Sequence, residues 1–477
     1  MQIEHIDINE TVAKARAMLA QEKNISMGFK AAIEVLFVII TLLTNRFNLN
    51  SKNSSKPPSS DPNREKQSKK NASGKKPGGQ PGHNGNNLKQ VTDPDEIQFI
   101  AVDKASLPKG KYHEVGYDAR QVIDIRISRH VIEYRAQILT DKHGNKFTAP
   151  FPEGVVRSVQ YGSELKAHVV YLSQFQLLPY NRVSDYFAEE VNLPLSMGSI
   201  YNFNAEAYKA LEEFAAIVKQ KLIKSKVLNV DETGINVNGK NAWLHLVANE
   251  KWTYFYPHSK RGSMAMNDIE ILPYFKGTLC HDHWKPYFIY QCSHALCNAH
   301  HLRELQRVIE QDQHQWADKM QKLLLEINVA TKAAGGQLAE LVAEKYYRQY
   351  REIIKAGEKE CPSPKIRLIA DIKKRGKIKK SFACNLLERL KAFEKDTLRF
   401  MQEVDVPFTN NLAENNIRMT KVQQKISGCF RSMAGAHIFA RIRSYISTCR
   451  KHDLAVTTAL QMLFQGKMPD FIHTDSG

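Results

Sequence analysis

"SKVLNVDETGI", Ser225 to Ile235, is the stretch from which the fold can be read. Val227, Leu228 and Val230 make a short apolar run rich in β-branched residues, and the run stops on two carboxylates, Asp231 and Glu232. Such a run predicts a buried strand. Its polar end is either a loop or one edge of a metal site. Downstream, "AWLHLV" and "WTYFYP" are joined by the four residues "ANEK", which reads as a hairpin. Ile269 to Phe275 is a short helix candidate. "GTLCHDHW" is a further strand that ends on a carboxylate, Asp282. "HALC" is a candidate fifth strand, and "NAHHLRELQRVIE" starts a helix. The order strand, strand, strand, helix, strand predicts an α/β core. Its first part spans 225–302, a mostly helical and charged insertion spans 303–403, and 404–477 return to the core with a helix candidate in "NNLAENNIRMTKVQQK", Asn410 to Lys425.

Upstream of the core, 156–224 reads as helical, with Ser196 as N-cap of a helix from Met197. This region suits either a DNA-binding helix-turn-helix or a layer packed on the core. Residues 91–155 alternate in β-like runs such as "VIDIRI" and "VIEYRAQIL", which predicts a small β-rich module. Residues 48–90 are rich in Ser, Asn, Lys, Pro and Gly and nearly devoid of apolar side chains. Too little surface can be buried there to offset ordering entropy, so a basic flexible linker is expected. In 1–47, Phe29, Ile33, Leu36, Ile40, Leu43 and Phe47 recur at heptad spacing. Such a seam packs on its own domain or on a partner helix. Its apolar core "VLFVIITLL", Val35 to Leu43, falls short of the ~20 apolar residues that span a bilayer, so no membrane partner is expected.

The 477 residues allow roughly three domains. Lys plus Arg number 68 against 50 Asp plus Glu, a net charge of +18, which favours a polyanionic partner and above all nucleic acid. Seven cysteines, an odd number without a disulfide-like framework, and a polar, acidic N-terminus argue against a secreted scaffold and for a reducing cytoplasm. In the arm, Lys56, Lys69, Lys70, Lys75 and Lys76 are candidate contacts to DNA phosphates, with a solvated linker as the alternative. "KKRGKIKK", Lys373 to Lys380, carries the same two readings.

Three carboxylates stand out as a set. If the strands ending on Asp231 and Asp282 are parallel neighbours, both side chains emerge at their carboxyl ends, where α/β sheets bind ligands. Glu414, on a helix laid across the sheet, can complete an all-oxygen site suited to Mg²⁺. Two such ions can stabilise the attacking and leaving oxygens of a phosphodiester. Glu414, Arg418, Lys421 and Lys425 share one helical face, which joins a metal ligand to a basic stripe. The alternative is an intrahelical pair of Glu414 with Arg418. Cys297 and His300 form C-x-x-H, half of a tetrahedral zinc site, with Cys280, His281, His283, Cys292 and His294 as irregularly spaced complements.

The chain resembles bacterial transposases of the insertion sequence 66 (IS66) family. "NSSKPPSSD" and "GGQPGHNG" are similar to that family's N-terminal signatures, "VDET" to its first catalytic Asp motif, "HALCNAHHLREL" to its histidine-cysteine motif, and "NNLAENNIRMTKVQQKISGCFRS" to its third catalytic motif. The resemblance implies an RNase H-like core with an Asp231, Asp282, Glu414 triad that binds Mg²⁺, with Mn²⁺ as a substitute. It implies cleavage at transposon ends and strand transfer into target DNA. It also implies a homo-oligomer on DNA, accessory proteins of the same element as partners, and residence in the bacterial cytoplasm at the nucleoid. On this reading Cys297 and His300 buttress the active site, Arg303 faces DNA or a nearby acid, and Glu232 is scaffold. Family members often carry cysteine pairs before the core. Here no cysteine precedes Cys280, so no structural zinc is expected there, and 91–155 correspond to a zinc-finger-like region without its cysteines. A nuclease that cuts without joining, and a DNA-binding regulator that has lost catalysis, are the competing readings.

Overall fold

The computed structural model describes residues 2–3, 6–22, 24–54, 61, 88–362 and 380–474. Two short paired strands, β1 (Gln2–Ile3) and β2 (Ile6–Asp7), lead into a helical hairpin of α1 (Ile8–Gln21) and α2 (Met27–Phe47). Ser26 caps α2 by accepting from the Phe29 N–H, and Arg16 reaches Glu34 at 3.4 Å across the hairpin. The apolar stretch is longer than Val35 to Leu43 alone. As one 21-residue helix, α2 is long and apolar enough to cross a membrane by length and composition. Of the heptad seam, Phe29, Leu36, Ile40, Leu43 and Phe47 are exposed.

Residues 48–54 depart from the flexible linker expected of 48–90. Asn53 is buried, its amide donates to the Asn48 carbonyl and to Glu310 Oε2 (2.6 Å), and the Ser51 N–H donates to Asp61. An amide and a carboxylate side chain supply these contacts, so the absence of apolar residues did not leave the segment free. Lys56, Lys69, Lys70, Lys75 and Lys76, and 373–379 of the second basic run, lie outside the described residues. The β-rich module expected over 91–155 is reduced to one hairpin of β3 (Ile138–Thr140) and β4 (Lys146–Thr148). "VIDIRI" forms no strand, and Val122, Ile125 and Val131 are exposed. An alternating pattern holds a sheet only when a second layer buries its apolar face.

Helices α3 (Ser163–Val170), α4 (Tyr180–Glu190), α5 (Met197–Ala210) and α6 (Glu212–Ile223) follow. Ser196 caps α5 by accepting from the Ser199 N–H at 3.0 Å. Val183, Ile200, Phe214 and Val218 of this layer share one core with Leu228 and Leu279 of the sheet. The sheet comprises β5 (Val227–Val237), β6 (Lys240–Ala248), β7 (Thr253–His258), β8 (Thr278–His281) and β9 (Ser293–Leu296), in the order β7-β6-β5-β8-β9. The first three run antiparallel, whereas β8 and β9 join β5 in parallel. The helix between β7 and β8 is α7 (Ser263–Ile269), earlier than Ile269 to Phe275. Glu270 ends it in the left-handed conformation (φ 60°), and Pro273 lacks the N–H that a helix there would need.

α8 (Asn298–Asp312), α9 (Gln315–Ala333), α10 (Glu340–Glu360), α11 (Phe382–Ala392) and α12 (Glu394–Leu398) build a helical region around Leu305, Trp316, Leu324, Tyr350 and Leu387. The chain returns through α13 (Asn411–Ser427), α14 (Met433–Lys451) and α15 (Val456–Phe464). Ala413 and Ile417 of α13 pack on Ile235, Leu244 and Leu246, while Ile442 and Tyr445 of α14 join the core with α6. Helices thus cover both faces of the sheet and hold α13 across β5.

Candidate active site

Strand register aligns the chemistry. In the parallel pair β5–β8, Asn229 lies opposite Cys280, and continuing by two residues brings Asp231 level with Asp282. In β8–β9, His281 lies opposite Leu296, so the next step brings Asp282 level with Cys297. Asp231, Asp282 and Cys297 therefore stand in a row across three adjacent parallel strands, near the edge where such sheets bind ligands. Asp282 and Cys297 directly follow β8 and β9, whereas Asp231 lies within β5, which does not end on the acid as the apolar run predicts but continues to Val237, paired with β6. Side chains alternate along β5. Leu228 and Val230 enter the core, and Asn229 faces α13 through a 2.9 Å hydrogen bond to Asn410. Asp231 shares the Asn229 face.

Asp282 follows β8 in a tight turn. Its Oδ1 accepts from the Trp284 N–H at 3.0 Å, and His283 is held at φ 75°. A left-handed backbone is uncommon for a residue with a Cβ and costs on the order of 1–3 kcal/mol. Here the His283 ring is fixed edge-on to Phe393, with centroids 4.4 Å apart.

Glu414 lies in the first turn of α13. Its carboxylate is 3.8 Å from His300 Nδ1, 3.9 Å from Cys297 Sγ and 4.0 Å from Arg303. The ion contacts of Glu414 are thus with α8, not with Arg418 one turn along. Among the described residues, Cys297, His300 and Glu414 are the group of three ligand-type side chains whose donor atoms lie within 4.8 Å of one another. The structure does not bring Cys280, His281, His283, Cys292 or His294 into that group; His281 instead pairs with His294 at 3.1 Å. Asp231 and Asp282 stand outside the 4.8 Å group, yet near enough for their charges to be felt.

The electrostatics show this. Burial pushes the Asp231 carboxyl up to about 8, and Glu232, Asp282 and Glu414 add repulsion in that order. The Cys297 thiol is pushed up to about 11, chiefly by burial. Burial and Arg303 hold His300 below the ordinary histidine range. Burial and neighbouring carboxylates together disfavour the Asp231 anion at this edge, a condition that a divalent cation relieves.

Glu232, one residue beyond Asp231, faces the other side of β5. Its carboxylate accepts from Arg261 Nε (3.0 Å), Arg261 Nη2 (2.7 Å) and the Tyr287 hydroxyl (2.6 Å). The Arg261 guanidinium is sandwiched between Trp243 and Trp284, 4.7 Å and 4.3 Å from the ring centres. Arg261 and Tyr287 carried no sequence signal. Asn410 is another residue the sequence did not single out, although it opens the "NNLAENN" motif. It is buried, donates from Nδ2 to the Val230 carbonyl (2.8 Å), accepts from Asn229, and its N–H points at Cys297 Sγ (3.1 Å). The Asn410 side chain therefore ties α13 to β5, and its backbone N–H ties α13 to the residue that precedes α8.

Arg418 and Lys425 are exposed on α13. Lys421 is committed to the fold, since its Nζ donates to the Gly234 carbonyl of β5. Arg303 donates from Nε to the Ala299 carbonyl within α8 while its Nη2 faces Glu414.

Among known families, one described as "Transposase IS66 family" matches residues 158–438, and one described as "Family of unknown function (DUF6444)" matches residues 3–89. No curated protein matches the chain.

Proposed function

The chain belongs to the IS66 transposase family, and on that premise we propose that it cuts DNA at the ends of a mobile element and joins those ends to target DNA. The observation that carries the reading is the register that sets Asp231 level with Asp282, with Glu414 brought over the same edge by α13. A sheet ordered β7-β6-β5-β8-β9, three strands antiparallel and two parallel, supports an RNase H-like core.

Asp231, Asp282 and Glu414 are the residues that would hold Mg²⁺, with Mn²⁺ as substitute. Their fit rests on the oxygen donors and on the burial, reinforced by neighbouring carboxylates, that disfavours the Asp231 anion without a cation. When bound, Mg²⁺ supplies charge stabilisation to the oxygens that attack and leave phosphorus. The chain's own groups do the rest. Asn410 fixes the spacing of β5 and α13. The Arg261–Glu232–Tyr287 set braces the far side of β5, so Glu232 is scaffold rather than ligand. Burial, then Glu232, then Asp231 and Asp282 raise the pKa of the Tyr287 hydroxyl, which makes it a poor nucleophile. Water, and then the freed 3′-hydroxyl of DNA, are the attacking groups, and no covalent protein–DNA intermediate is required. Arg418 and Lys425 present charge to phosphates beside the carboxylates.

The substrate is DNA, and the site of action is the cytoplasm. The test is a reaction of the full chain with duplex DNA bearing the ends that flank its gene. Joined product supports a transposase. Cleavage without joining supports a nuclease of the same fold, and binding alone supports a regulator or a missing accessory protein.

A further inference from the structure

We propose that Cys297, His300 and Glu414 form a binding site for one thiophilic divalent cation, typified by Zn²⁺, and that filling it withdraws Glu414 from Asp231 and Asp282. The regulatory consequence rests on the reading of Glu414 as the third carboxylate; the site itself does not.

The geometry comes first. The three donor atoms lie within 4.8 Å of one another, so small side-chain shifts bring them to one ion at ordinary bond lengths of about 2.0–2.3 Å. His300 Nδ1 is buried without a hydrogen-bond partner, 3.8 Å from Glu414. An orphaned buried nitrogen is costly unless it has an occasional ligand. Cys297 sits where β9 hands over to α8, a rigid junction, and the Asn410 N–H directed at its sulfur at 3.1 Å orients it as an outer partner orients a metal ligand.

Charge and softness come next. One thiolate, one carboxylate and one neutral imidazole together neutralise a divalent cation. On binding, the sulfur–hydrogen bond gives way to a sulfur–metal bond and the proton leaves to solvent. Thiolate and imidazole select soft or borderline cations, whereas Mg²⁺ prefers oxygen alone. The cluster can therefore fill with Zn²⁺ while Mg²⁺ is abundant. Three protein ligands leave a fourth position for water, unlike a closed structural site. Glu414 is common to both sets and cannot serve them equally.

The experiment titrates the metal-stripped full chain, without DNA, with Co²⁺ as the spectroscopic probe. One equivalent should give near-ultraviolet thiolate-to-cobalt absorption, bleached by Zn²⁺ and untouched by excess Mg²⁺. Cys297→Ser should abolish the band, His300→Gln and Glu414→Gln should weaken Co²⁺ binding at least tenfold, and Asp231→Asn should keep the band, with circular dichroism verifying each fold. A band that persists in Cys297→Ser, no thiolate band at all, or undiminished affinity in both His300→Gln and Glu414→Gln overturns the site. In the joining reaction with Mg²⁺, Zn²⁺ at the occupancy set by this titration should suppress product; undiminished joining overturns the withdrawal of Glu414. A cobalt band in a chain that joins no DNA would support the site while removing the transposase reading, so the two failures are separable.

Discussion

At the scale of single residues, Asp231 makes the sharpest prediction. Its carboxyl holds a proton up to about pH 8 in the folded chain, whereas the unfolded carboxyl releases it near pH 4. Between those values the folded state binds more protons than the unfolded state, so Asp231 lowers metal-free stability as pH rises through that window. Asp231→Asn removes the penalty. In chelator, its unfolding free energy should match wild type near pH 4 and exceed it at pH 8, by about 1 kcal/mol or more after allowance for solvent screening. An offset that does not grow with pH would show that its buried surroundings do not raise the Asp231 carboxyl. Asn410→Ala should act differently. It strips partners from the buried Asn229 amide and the Val230 carbonyl, at a cost of about 1–3 kcal/mol for each unsatisfied group. Urea unfolding should show that loss at every pH. Of these residues, Asp231 was legible from an apolar run that ends on an acid. Asn410 was not, because its role depends on contacts to β5, 180 residues earlier in the chain.

Elements set the distances between those residues, and at Gly277, just before β8, there is no room for a side chain. A Cβ there would fall 2.3 Å from the Lys226 carbonyl and 2.8 Å from that of Ser225, just ahead of β5. Backbone cannot yield as a side-chain tip can. Gly277→Ala should push β8 away from β5, destabilise by about 2 kcal/mol or more, and misalign Asp282 with Asp231. Thermal unfolding should register the first effect, and loss of DNA cleavage in protein that remains folded the second. The strands and α13 were readable because apolar runs, alternation and a carboxylate-bearing helix are local patterns. The helix before β8 was misplaced because the left-handed Glu270 is not a residue type that announces a stop. The module at 91–155 was over-read for a different reason: alternation records only the potential to pair, and Val122 and Ile125 meet no covering layer. The ordered start of the arm was missed because Asn53 finds Glu310, 257 residues away.

Over the whole molecule, a net charge of +18 makes DNA binding salt-dependent, and each phosphate contact adds about one to the slope of log affinity against log salt. Arg418→Ala and Lys425→Ala should each lower that slope by about 1, measured by fluorescence anisotropy on DNA ends. Lys421→Ala should instead lower stability, since its ammonium is spent on the Gly234 carbonyl. The carboxylate set itself was legible as a possibility from three separate acids. That they share one sheet edge depends on strand register and on a helix more than a hundred residues downstream, which no local pattern encodes. Whether that edge performs phosphoryl transfer is answered most directly by one reaction. The full chain is incubated with DNA ends and target, in Mg²⁺ and in chelator, beside Asp231→Asn, Asp282→Asn and Glu414→Gln. Joined product that requires Mg²⁺ and falls at least a hundredfold in each folded variant is the result predicted here. Joining that survives the loss of any one carboxylate, or that proceeds in chelator, would contradict it.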